Sequence, residues 1–278
     1  QTQLLRLSVR LQDKSKGVLS MKNGSSPFVW YELMTTDADN AADFYTKVVG
    51  WSAKDAGVPS VKYTLFEVPG CMIAGMMSIA DMPKDDCDGQ PGWIGYVGVA
   101  SADEYALKVE AEGGKVLRAA QDIPDIGRFA IVSDPQGGIF ALFEPKDDMP
   151  PPAGFGSRKP GHPGWHELYA KDCETVFPFY EKVFGWKLSR NFDMGPMGNY
   201  KVFSVDGADH GGIMTAPPGI PVGWGFYFMV DGVKDAVSRV KSLGGAVLQE
   251  PMEVPNGEWV VQCKDPQGVN ISLVAPKP

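Results

Sequence analysis

Histidine is the scarcest reactive side chain here: three in 278 residues, His162, His166 and His210. Chemistry that needs several imidazoles in each domain has little to draw on. Cysteine is sparse too. Cys71, Cys87, Cys173 and Cys263 are widely scattered and form no Cys-x-x-Cys pair, which excludes a dense disulfide scaffold and a paired-cysteine zinc module. The scatter fits reduced thiols in a cytoplasmic protein and leaves a single bridge open. Long apolar runs are missing: the longest are strand-sized, such as Ile139 to Phe143, far below the ~20 residues that span a bilayer. Positive charge is short as well, with 26 Lys and Arg against 34 Asp and Glu, a net of −8. An acidic chain repels phosphate backbones, so neither nucleic acid nor membrane is expected as a partner.

What is present is the composition of a folded chain, 44% apolar and 22% charged, long enough for two domains. The charge is uneven. Residues 1–26 carry Arg6, Arg10, Lys14, Lys16 and Lys22 against Asp13 alone, a net of +4 that leaves −12 for the remainder. This leader has neither the apolar run nor the small-residue cleavage site of a signal peptide. It reads as a disordered tail or as sequence upstream of the natural start, with Met21 a candidate initiator.

The chain repeats itself. Trp30-Tyr31-Glu32-Leu33, Asp37, Phe44-Tyr45 and Gly50-Trp51 return as Trp165-His166-Glu167-Leu168, Asp172, Phe179-Tyr180 and Gly185-Trp186, all offset by 135 residues. Gly113-Gly114 and Asp134-Pro135-Gln136-Gly137 return as Gly244-Gly245 and Asp265-Pro266-Gln267-Gly268, offset by 131. Two homologous domains follow, 27–146 and 163–276. Between them, residues 147–162 are rich in Pro and Gly, as an extended linker requires.

Within each domain, strand and helix signals alternate. Phe28 to Met34 reads as a strand. Asp37 offers an N-cap, and Ala41, Phe44, Tyr45 and Val48 recur at helical spacing until Gly50 stops the helix. Strand-like stretches follow at Tyr63–Val68 and Met72–Ser78. A second cycle runs through strand Trp93–Val99, helix Asp103–Glu112, strand Phe129–Val132, the Asp-Pro-Gln-Gly turn and strand Ile139–Phe143. This predicts an α+β fold with helices outside a sheet and a concave inner face suited to a small ligand.

The first strand leading to Asp37, the run Ala41-Ala42-Asp43-Phe44-Tyr45, Gly50-Trp51 and the late Asp-Pro-Gln-Gly turn resemble the vicinal oxygen chelate superfamily of glyoxalases, bleomycin-resistance proteins and extradiol dioxygenases. The resemblance covers about 250 residues. The Trp-x-Glu-Leu opening and Gly127-Arg128-Phe129-Ala130 look like its tandem-domain bacterial glyoxalase-like members. It implies paired βαβββ modules in each domain, forming a curved, mainly antiparallel sheet around a cavity.

Enzymes of that superfamily hold a divalent metal with His, Glu or Gln on the inner strands. Carried onto this chain, the first-strand position falls on Trp30 and Trp165, seven residues before Asp37 and Asp172. Those of the later strands fall on Ile94 and Gly225 and on Ala141 and Ser272. A fourth, less securely aligned, lies within Met72–Ser78 and near Gly212. Indole, alkyl and hydroxymethyl groups do not replace imidazole and carboxylate, so no metal and no other cofactor is expected. The histidines read as surface, linker or turn residues.

If Trp30 faces inward, period-two alternation brings Glu32 in beside it, and likewise Glu167 beside Trp165. A carboxylate facing an interior is costly unless hydrogen-bonded. Glu32 and Glu167 are therefore the candidate ligand anchors or bases, with a structural role, bonding backbone amides or a neighbouring Tyr, as the alternative. The same alternation sends Tyr96 and Tyr227 inward, with Asn270 and Ser272. Phe44, Tyr45, Phe179 and Tyr180 read as helix-to-sheet packing, and Asp134 and Asp265 as turn formers. The leading expectation is a metal-independent protein binding a small, partly apolar, oxygen-bearing molecule, as a monomer or homodimer. The alternatives are a lyase, isomerase or dioxygenase of the same superfamily, and a structural protein whose cavities are filled by its own side chains.

Overall fold

The computed structural model describes residues 26–58, 61–82, 90–146 and 156–278. Leader residues 1–25, Cys87 and residues 147–155 of the expected linker lie outside the described residues. The first repeat runs β1 (Phe28–Thr35), α1 (Ala38–Val48), β2 (Ser52–Asp55), β3 (Tyr63–Val68), β4 (Cys71–Ser78), β5 (Gly92–Gly98), α2 (Ala102–Ala111), β6 (Lys115–Ile123), β7 (Gly127–Ser133) and β8 (Ile139–Pro145). The second runs β9 (Pro163–Ala170), α3 (Cys173–Phe184), β10 (Lys187–Asp193), β11 (Asn199–Val205), β12 (Ala208–Thr215), β13 (Gly223–Met229), α4 (Val233–Ser242), β14 (Ala246–Glu253), β15 (Trp259–Lys264) and β16 (Asn270–Ala275). Each repeat is thus two βαβββ modules, and no described helix is long and apolar enough to cross a membrane.

Local chemistry sets the helix ends. Asp37 caps α1 by accepting from the Asn40 amide at 3.0 Å, and Asp172 caps α3 by accepting from Glu174 at 2.9 Å, so each satisfies an amide that the helix itself leaves unpaired. Gly185 closes α3 at φ 71°, left-handed backbone in which a side chain is strained.

Each repeat carries an eight-stranded mixed sheet, in the orders β2-β3-β4-β1-β5-β8-β7-β6 and β10-β11-β12-β9-β13-β16-β15-β14. Pairing is mainly antiparallel, with β1 parallel to β4, β5 to β8, β9 to β12 and β13 to β16. β2 and β6 were not among the expected strands. β2 is exposed along its whole length, so burial imposes no alternation on its residues.

By contact the chain forms two compact units that interleave the repeats. One gathers the described residues up to Val29, within 94–151 and within 166–224; the other gathers the described residues within 30–93, 152–165 and 225–278. Each unit contains two modules, one from each repeat.

A buried latch joins the modules within each unit. In the first, Tyr180 on α3 donates to Asp134 Oδ2 at 2.8 Å and accepts from Trp224 Nε1 at 3.2 Å. Asp134 Oδ1 accepts from the Gln136 and Gly138 amides at 2.7 and 2.9 Å. In the second unit Tyr45 donates to Asp265 Oδ2 at 3.0 Å and accepts from Trp93 Nε1 at 3.1 Å. The Asp-Pro-Gln-Gly carboxylates therefore shape their turns, as expected, and also clasp a helix of another module. Trp186 stacks on Tyr180 with ring centroids 5.1 Å apart, and Trp51 on Tyr45 at 5.9 Å, which gives the two Gly-Trp motifs their place in the core.

Candidate functional site

Two half-sites repeat the same three-residue arrangement. In the second unit Glu32 on β1 stands in register with Gly75 on β4, and the Tyr63 hydroxyl hydrogen-bonds both the Glu32 carboxylate and the Trp30 indole. In the first unit Glu167 on β9 stands in register with Gly212 on β12, and Tyr200 Oη donates to Glu167 Oε1 at 3.0 Å. In both, the tyrosine of the third strand lies across the glycine of the fourth. A Cβ on Gly75 would overlap the Tyr63 hydroxyl, and one on Gly212 would overlap the Tyr200 ring. Glycine is therefore what admits the ring, and the ring is what meets the carboxylate.

Burial pushes the Tyr63 hydroxyl well above its usual range, and the charge of Glu32 adds to the shift. Tyr63 therefore stays protonated and serves as a fixed donor to Glu32. Glu167 is 7% exposed, and its bond to Tyr200 offsets part of the cost of burying it. Tyr63 and Tyr200 were not among the expected site residues. Their signal lies in the repeat: Tyr63 and Tyr200, like Gly75 and Gly212, share an offset of 137 residues.

Gly212→Ala is expected to drive Tyr200 off Glu167 and destabilise the chain by about 1–3 kcal/mol, the usual cost of overpacking. In a Tyr200→Ala background the same change should cost almost nothing. Urea titration of the four proteins measures that non-additivity, and equal costs in both backgrounds would refute the overlap.

The remaining expected residues are distributed over several strands. Trp165 packs against the cluster of Tyr227, Met229 and Val274. Tyr227 pairs in register with Ser272, Ser272 with Gln262, and Gln262 Nε2 donates to the Tyr227 hydroxyl at 3.1 Å. A polar row therefore crosses β13, β16 and β15. Asn270 stands exposed at the start of β16, opposite Lys264. In the first unit Tyr96 lies beside Phe129 and Phe143, with centroids 6.3 and 6.4 Å away.

His166 and His210 depart from the sequence reading. They are 0% and 9% exposed, because β9 and β12 carry them into the packed interior. His166 stacks on Phe28 with centroids 4.4 Å apart, and its Nδ1 lies 2.6 Å from the His210 carbonyl. A carbonyl only accepts, so the proton sits on Nδ1. Burial pulls His166 down to about 3 and His210 down to about 4. Both are neutral at pH 7 and serve the core.

The side chains at the expected metal positions are Trp30, Ile94 and Ala141 in one repeat and Trp165, Gly225 and Ser272 in the other, with a tyrosine ring laid over the glycine of the neighbouring strand. Among the described residues, no three or more His, Cys, Asp or Glu gather as a ligand group. The donors at these positions do not fit the divalent ion that such a fold commonly carries.

Comparison with known proteins agrees with the fold. The profile of the Glyoxalase/Bleomycin resistance protein/Dioxygenase superfamily matches residues 28–142 and again 161–273. The chain is similar to the Mycobacterium tuberculosis protein named "Putative glyoxylase CFP32", with 32% identity over 256 residues, 90% of this chain and 94% of that one. It is also similar to "Anthracycline biosynthesis protein DauV" of a Streptomyces species, with 30% identity over 258 residues, 88% of this chain and 91% of that one. Among solved structures, the Mn(II)-bound glyoxalase from Novosphingobium aromaticivorans superposes with a TM-score of 0.63 at 17% identity, covering 90% of this chain and 83% of its own. With its profile matched in both repeats, the chain belongs to the Glyoxalase/Bleomycin resistance protein/Dioxygenase superfamily.

Proposed function

We propose that this protein binds a small, partly apolar, oxygen-bearing molecule against its inner strands, and does so without the superfamily's usual metal. The duplicated Glu–Gly–Tyr arrangement carries this reading. Glu32 and Glu167 are each held by a tyrosine donor, so each presents an oriented carboxylate suited to accept from a ligand hydroxyl. Trp30, Tyr96, Trp165 and Tyr227 supply aromatic walls, and Ser272 a hydroxyl. Such surfaces suit a ligand with an apolar body and a few polar groups. The relative named for anthracycline biosynthesis supports an aromatic, oxygen-rich ligand class.

Mass spectrometry of small molecules that stay with the purified full chain tests the anchors. Glu32→Gln and Glu167→Gln should each weaken retention about tenfold, the loss of one charge-assisted hydrogen bond. An unchanged profile in both variants removes the carboxylates from the binding role. One tightly held Fe, Mn, Ni or Zn per chain, by elemental analysis of tag-free protein, would overturn the metal-independent part.

A further inference from the structure

The two repeats keep one pattern of strand pairing and fill it with different chemistry. In the first, Tyr96 on β5 stands in register with Ala141 on β8, Ala141 with Ile131 on β7, and Ile139 with Ser133. In the second, Tyr227 stands with Ser272, Ser272 with Gln262, and Asn270 with Lys264. Each residue lies 131 positions from its equivalent. Tyrosine is kept, but Ile131, Ser133, Ile139 and Ala141 become Gln262, Lys264, Asn270 and Ser272. Four adjoining positions are therefore more polar in the second repeat, and one of them carries a charge.

The difference is confined to one face. β15 and β16 pair without a register shift from Trp259 to Lys264, so side chains alternate strictly between the two faces. The opposite face carries Cys263, Ile271 and Leu273 where the first repeat has Val132, Phe140 and Leu142, all at most 2% exposed. Core packing thus holds that face apolar in both repeats and makes no demand on the face of Lys264. There Lys264 and Ser272 are half-buried and Asn270 is exposed. Among the described residues, no carboxylate pairs with the Lys264 ammonium, and no protein group hydrogen-bonds the side chain of Ser272 or Asn270. A cation drawn partly out of water without an anion is costly.

We infer that the second repeat binds a small hydroxy-carboxylate, its carboxylate on Lys264 and Asn270 and its hydroxyl on Ser272, and that the first repeat does not. This rests on the small-molecule reading above and gives its ligand a charge. Facing residues on paired strands lie about 5 Å apart, and residues two apart on one strand about 7 Å. Lys264 and Asn270 therefore flank one point, and the Ser272 hydroxyl stands one such step along the strand. The single ammonium matches a monoanion, the Asn270 amide adds a neutral donor, and Ser272 both donates and accepts. Ser133, Ile139 and Ala141 offer the first repeat no cation at the same places.

The probes are 4-hydroxybenzoate, with carboxylate and hydroxyl at opposite ends of a rigid body, and its neutral analogue 4-hydroxybenzamide, titrated calorimetrically into the full chain. The acid should bind at one site per chain, about tenfold tighter than the amide, the worth of a charge-assisted pair. Lys264→Ser, which installs the residue of the first repeat, should bring the acid to the level of the amide and leave the amide unchanged. Lys264→Arg should keep the preference. Ser272→Ala should weaken acid and amide alike, about fivefold, because both carry the hydroxyl. Equal binding of acid and amide to the unsubstituted chain overturns the charge assignment and leaves the small-molecule reading standing. So does undiminished acid binding in Lys264→Ser, or two equivalent acid sites. If neither probe binds at millimolar concentration, the hydroxy-carboxylate class falls. The small-molecule reading falls with it only when mass spectrometry also finds no small molecule retained by the purified chain.

Discussion

Asp265→Ala is expected to lower the melting temperature by on the order of 10 °C. Asp265 is 3% exposed, and its carboxylate accepts from the Gln267 and Val269 amides at 2.9 and 2.8 Å as well as from Tyr45. Removing it leaves three donors without their acceptor, two turn amides and a phenol, in a place with little access to water. Each stranded donor costs about 1–3 kcal/mol before relaxation, so a total of about 3–5 kcal/mol is expected. Tyr45→Phe keeps the turn intact and should cost about 2–3 kcal/mol, since it removes the bond to the carboxylate and also takes away the acceptor of the Trp93 indole N–H. The two changes share a bond, so their costs should fall short of adding by about 1–2 kcal/mol in a double-mutant cycle. Strict additivity would mean that Asp265 only shapes its turn. Asp134→Ala and Tyr180→Phe should behave alike, because the other unit repeats the same contacts.

Acid is the second large lever. His166 is held neutral by burial, with its affinity for protons pulled from 6.5 down to about 3. Between those values the unfolded chain binds a proton at this site and the folded chain does not. Stability therefore rises with pH across the window, and falls as the solution is acidified from about pH 6.5 towards pH 3. Its slope is at most about 1.4 kcal/mol per pH unit, so this one side chain sums to about 4–5 kcal/mol over the window. His210, pulled down to about 4, acts in the same direction over a shorter span. Urea unfolding at pH 7, 6, 5 and 4 measures the slope. His166→Phe, which keeps a ring against Phe28, should flatten it most below pH 6; a variant as acid-sensitive as the parent would count against the assignment.

Much of the architecture was legible in the residues because the chain states it twice. The Asp caps, the Phe-Tyr pairs and the Gly-Trp steps locate the module starts, and Asp-Pro-Gln-Gly locates the last turns. Trp165 and Tyr227, both expected to face inward, pack together in one apolar cluster with Met229 and Val274. The misses have physical causes. β2 is exposed on both faces, so nothing forces its side chains to alternate. His166 and His210 looked solvated because glycine, proline and aspartate lie near them, whereas the pairing of β9 with β12 decides their burial, with Phe28 stacked on His166. Tyr63 and Tyr200 escaped notice because their role depends on a missing side chain. Only the joint reading of Tyr63 with Gly75, and Tyr200 with Gly212, shows a ring lying where a Cβ would be.

The latches also set a timetable for biosynthesis. Tyr180 follows Asp134 by 46 residues, while Tyr45 precedes Asp265 by 220. At roughly 5–20 residues per second, the unit built from the two middle modules can close within seconds of emerging from the ribosome. The first module must instead wait about 10–40 s for the last, with the part of α1 that meets α4 uncovered throughout. Ribosome-bound chains of increasing length should therefore gain protease resistance in the middle of the sequence before they gain it at the beginning.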